Sequence, residues 1–285
     1  MTKEYRYRAH IRWAQYVFPL FFTGIILVFW GYVALLGAVS WFRRSEPLAF
    51  LFLVLISVLV PALGLVTSYI FYRLAGVRVR LDEHAVVYRD RSGEQRVPFE
   101  DITTVCVNRP ILYVGGWVKI VSRSGSIRLT VVVEGIGAFL QELKAALDRK
   151  GLSNRYHQAK FFRFLKTAEF SDQSWARLYS NYGELILISV AFVVVNAALG
   201  ISLAAAIGIS LSLAFLWGLV TYFWPPLVFR VVEITFMRRF ARGADEGTFS
   251  CPPRDPAYEH KVYRKAVLWG GVVYYALSLV LWLLL

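Results

Sequence analysis

LAFLFLVLISVLVPALGLVTSYIFYRLAGVRVRLDEHAVVYR, residues 48–89, changes its hydrophobic period once, and that change separates membrane from water-soluble chain. Leu48 to Phe71 holds no Asp, Glu, Lys or Arg. The run exceeds the roughly 20 residues that a helix needs to cross about 30 Å of hydrocarbon. After Gly76 the pattern turns to alternation: Val77, Val79 and Leu81 interleave with Arg78 and Arg80, as in a strand with one wet face.

Working outward, three further runs lack charge: Tyr16 to Trp41, Leu185 to Phe229 and Ala266 to Leu285. As a single straight helix, Leu185 to Phe229 would extend about 67 Å at about 1.5 Å per residue. It is therefore expected to form two spans joined by a tight turn near Gly200 to Ser202, which brings the expected total to five. Only 18% of residues are charged, against about a quarter in soluble domains, which places the chain in the integral membrane α-helical class. The expected organisation is a basic segment and transmembrane hairpin in residues 1–75, a soluble insert in 76–151 and a juxtamembrane amphipathic segment in 152–183. A second transmembrane hairpin follows in 184–229, then a cytoplasmic loop in 230–262 and a last span in 263–285.

Charge sets the expected orientation. Of 32 Lys and Arg, 18 lie in residues 72–184 and 8 in residues 230–265. The positive-inside rule then puts the N-terminus and the insert in the cytoplasm of a multi-pass cell-membrane protein, with the C-terminus outside. Arg43 and Arg44 are outvoted. Cys106 and Cys251 form no CxxC pair, so neither a disulfide framework nor a zinc knuckle is indicated.

Within the insert, Val77 to Leu81 and Ala85 to Arg89 read as a hairpin around Asp82-Glu83-His84. Further strands fit Gln95 to Val97, Thr103 to Val107, Trp117 to Ser122 and Ile127 to Val133. Ile136, Phe139, Leu140, Leu143 and Leu147 then recur at helical spacing, with Gly151 as a C′ stop.

Val97-Pro98-Phe99-Glu100-Asp101-Ile102, Ser124-Gly125 in the late hairpin and the terminal helix together resemble the bacterial pleckstrin-homology-like domains of membrane proteins with a helical pair just upstream. The resemblance covers about a quarter of the chain. It implies a partly open sheet of about seven strands with a C-terminal helix, used for protein or lipid contacts rather than chemistry. One departure matters: Asp82-Glu83-His84 is too short and too acidic to cradle an inositol phosphate.

Enzyme signals are weak. Gly135-Ile136-Gly137 lacks a third glycine and a parallel βαβ setting, so it reads as a strand-to-helix turn. Asp82-Glu83, Glu100-Asp101 and Asp245-Glu246 are adjacent pairs in turns with no completing reaction centre. His10, His84, His157 and His260 lack metal-ligand spacing. Neither a catalytic set nor a cofactor is expected. Nucleic acid is not an expected partner either, because no recognition fold accompanies the charge of +13.

The most suggestive stretch is Asn154 to Thr167. At 100° per residue, Phe161, Phe162, Phe164 and Leu165 share one arc and Arg155, Lys160, Arg163 and Lys166 the opposite one. That composition is expected to lie on the anionic inner leaflet, with packing of the aromatic face on the insert as the competing arrangement. Arg238, Arg239 and Arg242 are expected to extend a helix beyond the bilayer, ended by Gly243, and Asp255-Pro256 to start the next. Asn196 reads as an interhelical hydrogen-bond clip, and Gly200, Ala204, Gly208 and Ser212 as a small-xxx-small packing series. Pro61 and Pro225-Pro226 are expected to kink their helices.

The function this supports is a scaffold, assembly factor or regulator that docks a membrane-protein partner or a second copy of itself through the insert. The alternative is a transporter, or a subunit of one, with a site near the third and fourth spans.

Overall fold

The computed structural model describes residues 3–35, 47–108, 116–207 and 221–284. The chain forms two compact units, Met1–Leu165 and Lys166–Leu285.

The first unit joins a helical hairpin to the sheet domain. Helices α1 (Ala9–Leu35) and α2 (Pro47–Ala75) run antiparallel. Trp30 Nε1 donates to Ser57 Oγ at 2.6 Å, Ser68 Oγ donates to the Gln15 carbonyl, and Phe18 stacks on Phe71 with centroids 5.2 Å apart.

Among the described residues seven strands follow the alternation of the sequence. β1 (Glu4–Arg6), β2 (Arg78–Leu81), β3 (Ala85–Asp90) and β4 (Gly93–Pro98) make one antiparallel sheet in that order. β5 (Ile102–Val107), β6 (Trp117–Ser122) and β7 (Gly125–Thr130) make another. Helix α3 (Ile136–Arg149) buries Ile136, Phe139, Leu140, Leu143 and Leu147. It starts from Gly135 in the left-handed region at φ 70°. It ends in a Schellman motif: Gly151, at φ 71°, donates to the Asp148 carbonyl and Leu152 to that of Leu147.

The N-terminus belongs to this sheet domain, which the expected boundary at residue 76 had missed. Glu4, Tyr5 and Arg6 pair with Arg80, Val79 and Arg78. Tyr5 is 1% exposed and meets Phe139 edge to face at 5.4 Å. The last expected strand, Ile127 to Val133, stops at Thr130. The next residues turn to the N-terminus instead: Tyr7 bridges Val133, and the Glu134 amide donates to the Arg6 carbonyl at 2.8 Å.

Helix α4 (Gln158–Ile207) is 50 residues long, about 75 Å by its rise. It passes through Gly200 to Ser202 without a break, so the turn expected there is absent. In a bilayer each backbone group must find an internal partner, and an unbroken helix supplies it. The Ser202 hydroxyl bonds back to the Ala198 carbonyl at 2.9 Å. Helices α5 (Trp224–Gly243) and α6 (Pro256–Leu284) complete the second unit. Pro225 and Pro226 lie in the first turn of α5 rather than at an internal kink. Prolines there remove no helical hydrogen bond, because those N–H groups have no partner in any helix.

Among the described residues, three helices are long and apolar enough to cross a membrane: Ala9–Gly31, Val54–Ala75 and Gln158–Ser202. Each carries apolar side chains that face outward, such as Leu20, Val28, Leu65, Leu187 and Val194, all more than half exposed. Lipid is the solvent suited to such a surface. The fourth expected span falls largely on residues 208–220, outside the described residues.

Candidate functional site

The basic aromatic segment separates into two faces, but its apolar face is inside the protein. Phe161, Phe162 and Phe164 are only 1%, 1% and 2% exposed and Leu165 is fully covered. Phe161 lies 5.2 Å from the Tyr156 ring. These side chains are therefore not a lipid-facing stripe, and the expected surface anchor is corrected to an internal packing face. An aromatic face finds apolar surface equally in a protein core or in lipid, and tertiary packing decides between them.

Of the basic set, Lys160 and Arg163 are exposed and Arg155 and Lys166 half-buried. Arg155 Nη1 lies 3.5 Å from the Thr103 carbonyl, at the long limit of a hydrogen bond, and Val105 bridges Tyr156 in parallel. This approach leaves a groove of about 510 Å³ between β5 and the start of α4. Thr104, Cys106, Asn154, Arg155, His157 and Lys160 are among its lining residues, and no carboxylate is.

Beside the groove, Tyr156 donates to Asp148 Oδ1 at 2.5 Å and Lys144 to Asp148 Oδ2 at 2.6 Å. Burial pushes the Asp148 carboxyl upward, but these two donors outweigh it and hold the group below its usual 3.8. Burial, reinforced by Asp148, raises the Tyr156 phenol.

On α5, Arg238, Arg239 and Arg242 are exposed near the end of the helix. The Arg239 guanidinium lies 3.9 Å from the Tyr258 ring centroid, which orients it and leaves its edge to solvent. Asp255 caps α6 by accepting the Tyr258 amide at 3.1 Å.

Asn196 is 2% exposed; its Nδ2 donates to the Phe192 carbonyl at 2.7 Å and its Oδ1 accepts from Tyr274 Oη at 3.0 Å. Both ends of the amide are engaged within the helices, the geometry of a clip. Gly200, one turn on, is also buried. The Ala204 backbone is helical, while Gly208 and Ser212 lie outside the described residues.

The largest polar constellation was not foreseen. Arg177 on α4 is 2% exposed, with Nε and Nη2 on the Glu233 carboxylate at 2.8 and 3.0 Å and Nη1 on Glu259 Oε1 at 3.1 Å. Arg254 Nε completes Glu259 at 2.7 Å, and Tyr263 Oη donates to Glu233 Oε1 at 2.5 Å. Phe170 and Phe236 flank the Arg177 guanidinium at 5.2 and 4.9 Å. Two arginines and two glutamates cancel in charge, and each of the three guanidinium nitrogens of Arg177 donates to a carboxylate. The arrangement holds α4, α5 and α6 in one register. A trace was present in the sequence: Glu233 falls on the stripe of Phe229, Val232, Phe236 and Phe240, where a carboxylate needs a buried partner.

One carboxylate of each acidic pair has a structural partner. Glu100 accepts from Lys150 at 3.0 Å, and Asp82 lies near Arg80 and Arg96 at 3.5 and 3.8 Å. Asp245 accepts from the Thr248 hydroxyl at 2.7 Å and the Gly247 amide at 2.9 Å, which holds its carboxyl below the usual range. Burial, with Glu169 nearby, pushes the Cys251 thiol up to about 11. Among the described residues no group of three or more His, Cys, Asp or Glu is placed to hold a metal. No family model, curated protein or solved structure matches the chain.

Proposed function

We propose that the chain is a non-enzymatic membrane scaffold or regulatory protein whose sheet domain is a docking surface held at a fixed attitude to the bilayer. The observation that carries this reading is the pairing of β1 with β2. Two residues separate β1 from α1, and two separate α2 from β2. Two adjacent strands are thus continuous with the two helices of one hairpin. Arg91, in the turn between β3 and β4, adds a third attachment by donating to the Tyr72 carbonyl at 3.0 Å with its guanidinium 3.5 Å over the Tyr72 ring. A cation there also complements the C-terminal end of α2. The connectors are too short to let the sheet turn freely, which suits a surface that presents partners in a set orientation.

The strand and helix order is in keeping with the pleckstrin-homology-like resemblance. The proposed topology has five spans, the N-terminus and sheet domain in the cytoplasm and the C-terminus outside. A reporter near Gly125 should then be cytoplasmic and one after Leu285 external; the reverse at either site overturns the orientation. For the function, a photo-crosslinker at exposed Arg96 or Arg128 in intact membranes should give one defined adduct with a membrane protein or a second copy. Deleting residues 3–8 should abolish that adduct. Absence of any protein adduct from either position would defeat the docking reading.

A further inference from the structure

We infer that the groove between β5 and the start of α4 binds an acidic peptide segment of a partner protein, with Arg155 and Lys160 receiving its carboxylates. This rests on the docking reading above and specifies which face docks.

Charge is the first argument. Arg155, His157 and Lys160 line the groove, Asn154 and Thr104 add neutral donors, and no acidic residue is among the lining. The neighbouring carboxylates are already engaged, Asp148 with Lys144 and Tyr156, and Glu100 with Lys150. The positive field is therefore directed to whatever enters.

The second argument is the Arg155 guanidinium. Its Nη1 faces the Thr103 carbonyl, while its Nε is buried with no hydrogen-bond partner. A donor withdrawn from water without an acceptor is costly, and a small rotation of the side chain into the groove would bring it to an incoming carboxylate. The Nε and Nη2 edge is the one that Arg177 uses to hold the Glu233 carboxylate at 2.8 and 3.0 Å, so this chain shows the geometry that an incoming carboxylate would adopt. Bidentate pairing of this kind favours a planar oxyanion.

Size and character favour a peptide over an isolated ion. A groove of about 510 Å³ is of the size that holds a ligand of many atoms. Val105, Val107 and Tyr156 give it an apolar strip beside the cations, suited to carboxylates interspersed with aliphatic side chains.

Cys106 is exposed and lines the same groove, so it reports occupancy. The test uses the full chain in detergent micelles with Cys251→Ser, and follows alkylation of Cys106 by N-ethylmaleimide. The probes are an eight-residue Glu/Val peptide, its Gln/Val counterpart, and inorganic phosphate. The Glu/Val peptide should slow alkylation several-fold and saturably, with weaker protection at high salt. Arg155→Gln and Lys160→Gln should each weaken its apparent affinity by about two- to five-fold, the range of a partly exposed ion pair. Lys160 is exposed, so its variant separates binding from folding. Equal protection by the Gln/Val peptide, protection by phosphate alone, no protection by any probe, or indifference to Lys160→Gln would each overturn the assignment. If crosslinked adducts persist in membranes while the groove fails this test, docking stands and only its face is wrong.

Discussion

Replacing Arg177 by Met should be among the most destabilising single changes in the second unit. The substitution removes all three bonds to Glu233 and Glu259 and the cation between Phe170 and Phe236. Among the described residues the Glu233 carboxylate then keeps only Tyr263, and that of Glu259 only Arg254. The carboxylate side chains are 7% and 6% exposed, so water cannot replace the lost partner. Breaking a buried pair on one side costs about 3 to 5 kcal/mol, a factor of roughly a hundred to several thousand in the folded-to-unfolded ratio. The intact network is worth far less than that, because desolvation of the ions opposes their attraction. The triple variant Arg177→Met, Glu233→Met, Glu259→Leu should therefore recover most of the loss, with Arg254, 26% exposed, turning to solvent. Reversible unfolding in mixed micelles, titrated with a denaturing detergent and followed by tryptophan fluorescence, measures all of these proteins alike. Arg177→Met within about 1 kcal/mol of wild type, or a triple variant no more stable than the single, would refute the assignment of this cluster as a buried, charge-balanced clamp.

Tyr5→Ala should cost the sheet domain about 3 to 5 kcal/mol, the usual loss for a buried aromatic; limited proteolysis of the domain reads this out. Arg91→Ala removes the bond to the Tyr72 carbonyl and the ring contact, so hydrogen exchange should rise in the turn at residues 90–93 and at residues 76–78 while the rest of the sheet is unchanged. Cys106 is exposed, and the Cys251 thiol is pushed up to about 11 by burial; timed alkylation with mass spectrometry should modify Cys106 well before Cys251. The folded-state value of Asp148 is depressed below 3.8, so its stabilising contribution is present above that pH and is lost as pH falls through the folded value. Asp148→Asn should flatten the acid limb of the stability profile and leave neutral pH less stable, by pH-dependent denaturant titration.

Local pattern carried much of this protein. The charge-free stretches Tyr16 to Gly31 and Val54 to Phe71 lie within helices of spanning length, Ala9–Gly31 and Val54–Ala75, because bilayer thickness makes run length a direct measure. Strand alternation from Val77 to Ser122, the Gly135 turn into α3 and the Gly151 stop all depend on neighbours within a few residues, and all are legible there. The N-terminal strand was legible too, in the alternation of Glu4-Tyr5-Arg6-Tyr7-Arg8, but three residues of period two are a short signal beside a strong count of basic charge.

Other features needed the third dimension. An arc of Phe161, Phe162 and Phe164 specifies that a face avoids water, not whether lipid or protein covers it, and the fold covered it with protein. Gly200 to Ser202 looked like a turn by length alone, whereas continuous backbone hydrogen bonding carried α4 through it. Arg177, Glu233 and Glu259 are 56 and 26 residues apart along the chain, and nothing local couples them. Sequence by itself determined which segments leave water and where their period changes, since hydrophobicity and backbone propensity act over a few residues. Only the tertiary structure decided which charges meet and which apolar face is shared with protein, because Coulomb attraction and packing act on distance in space, which the order of residues does not contain.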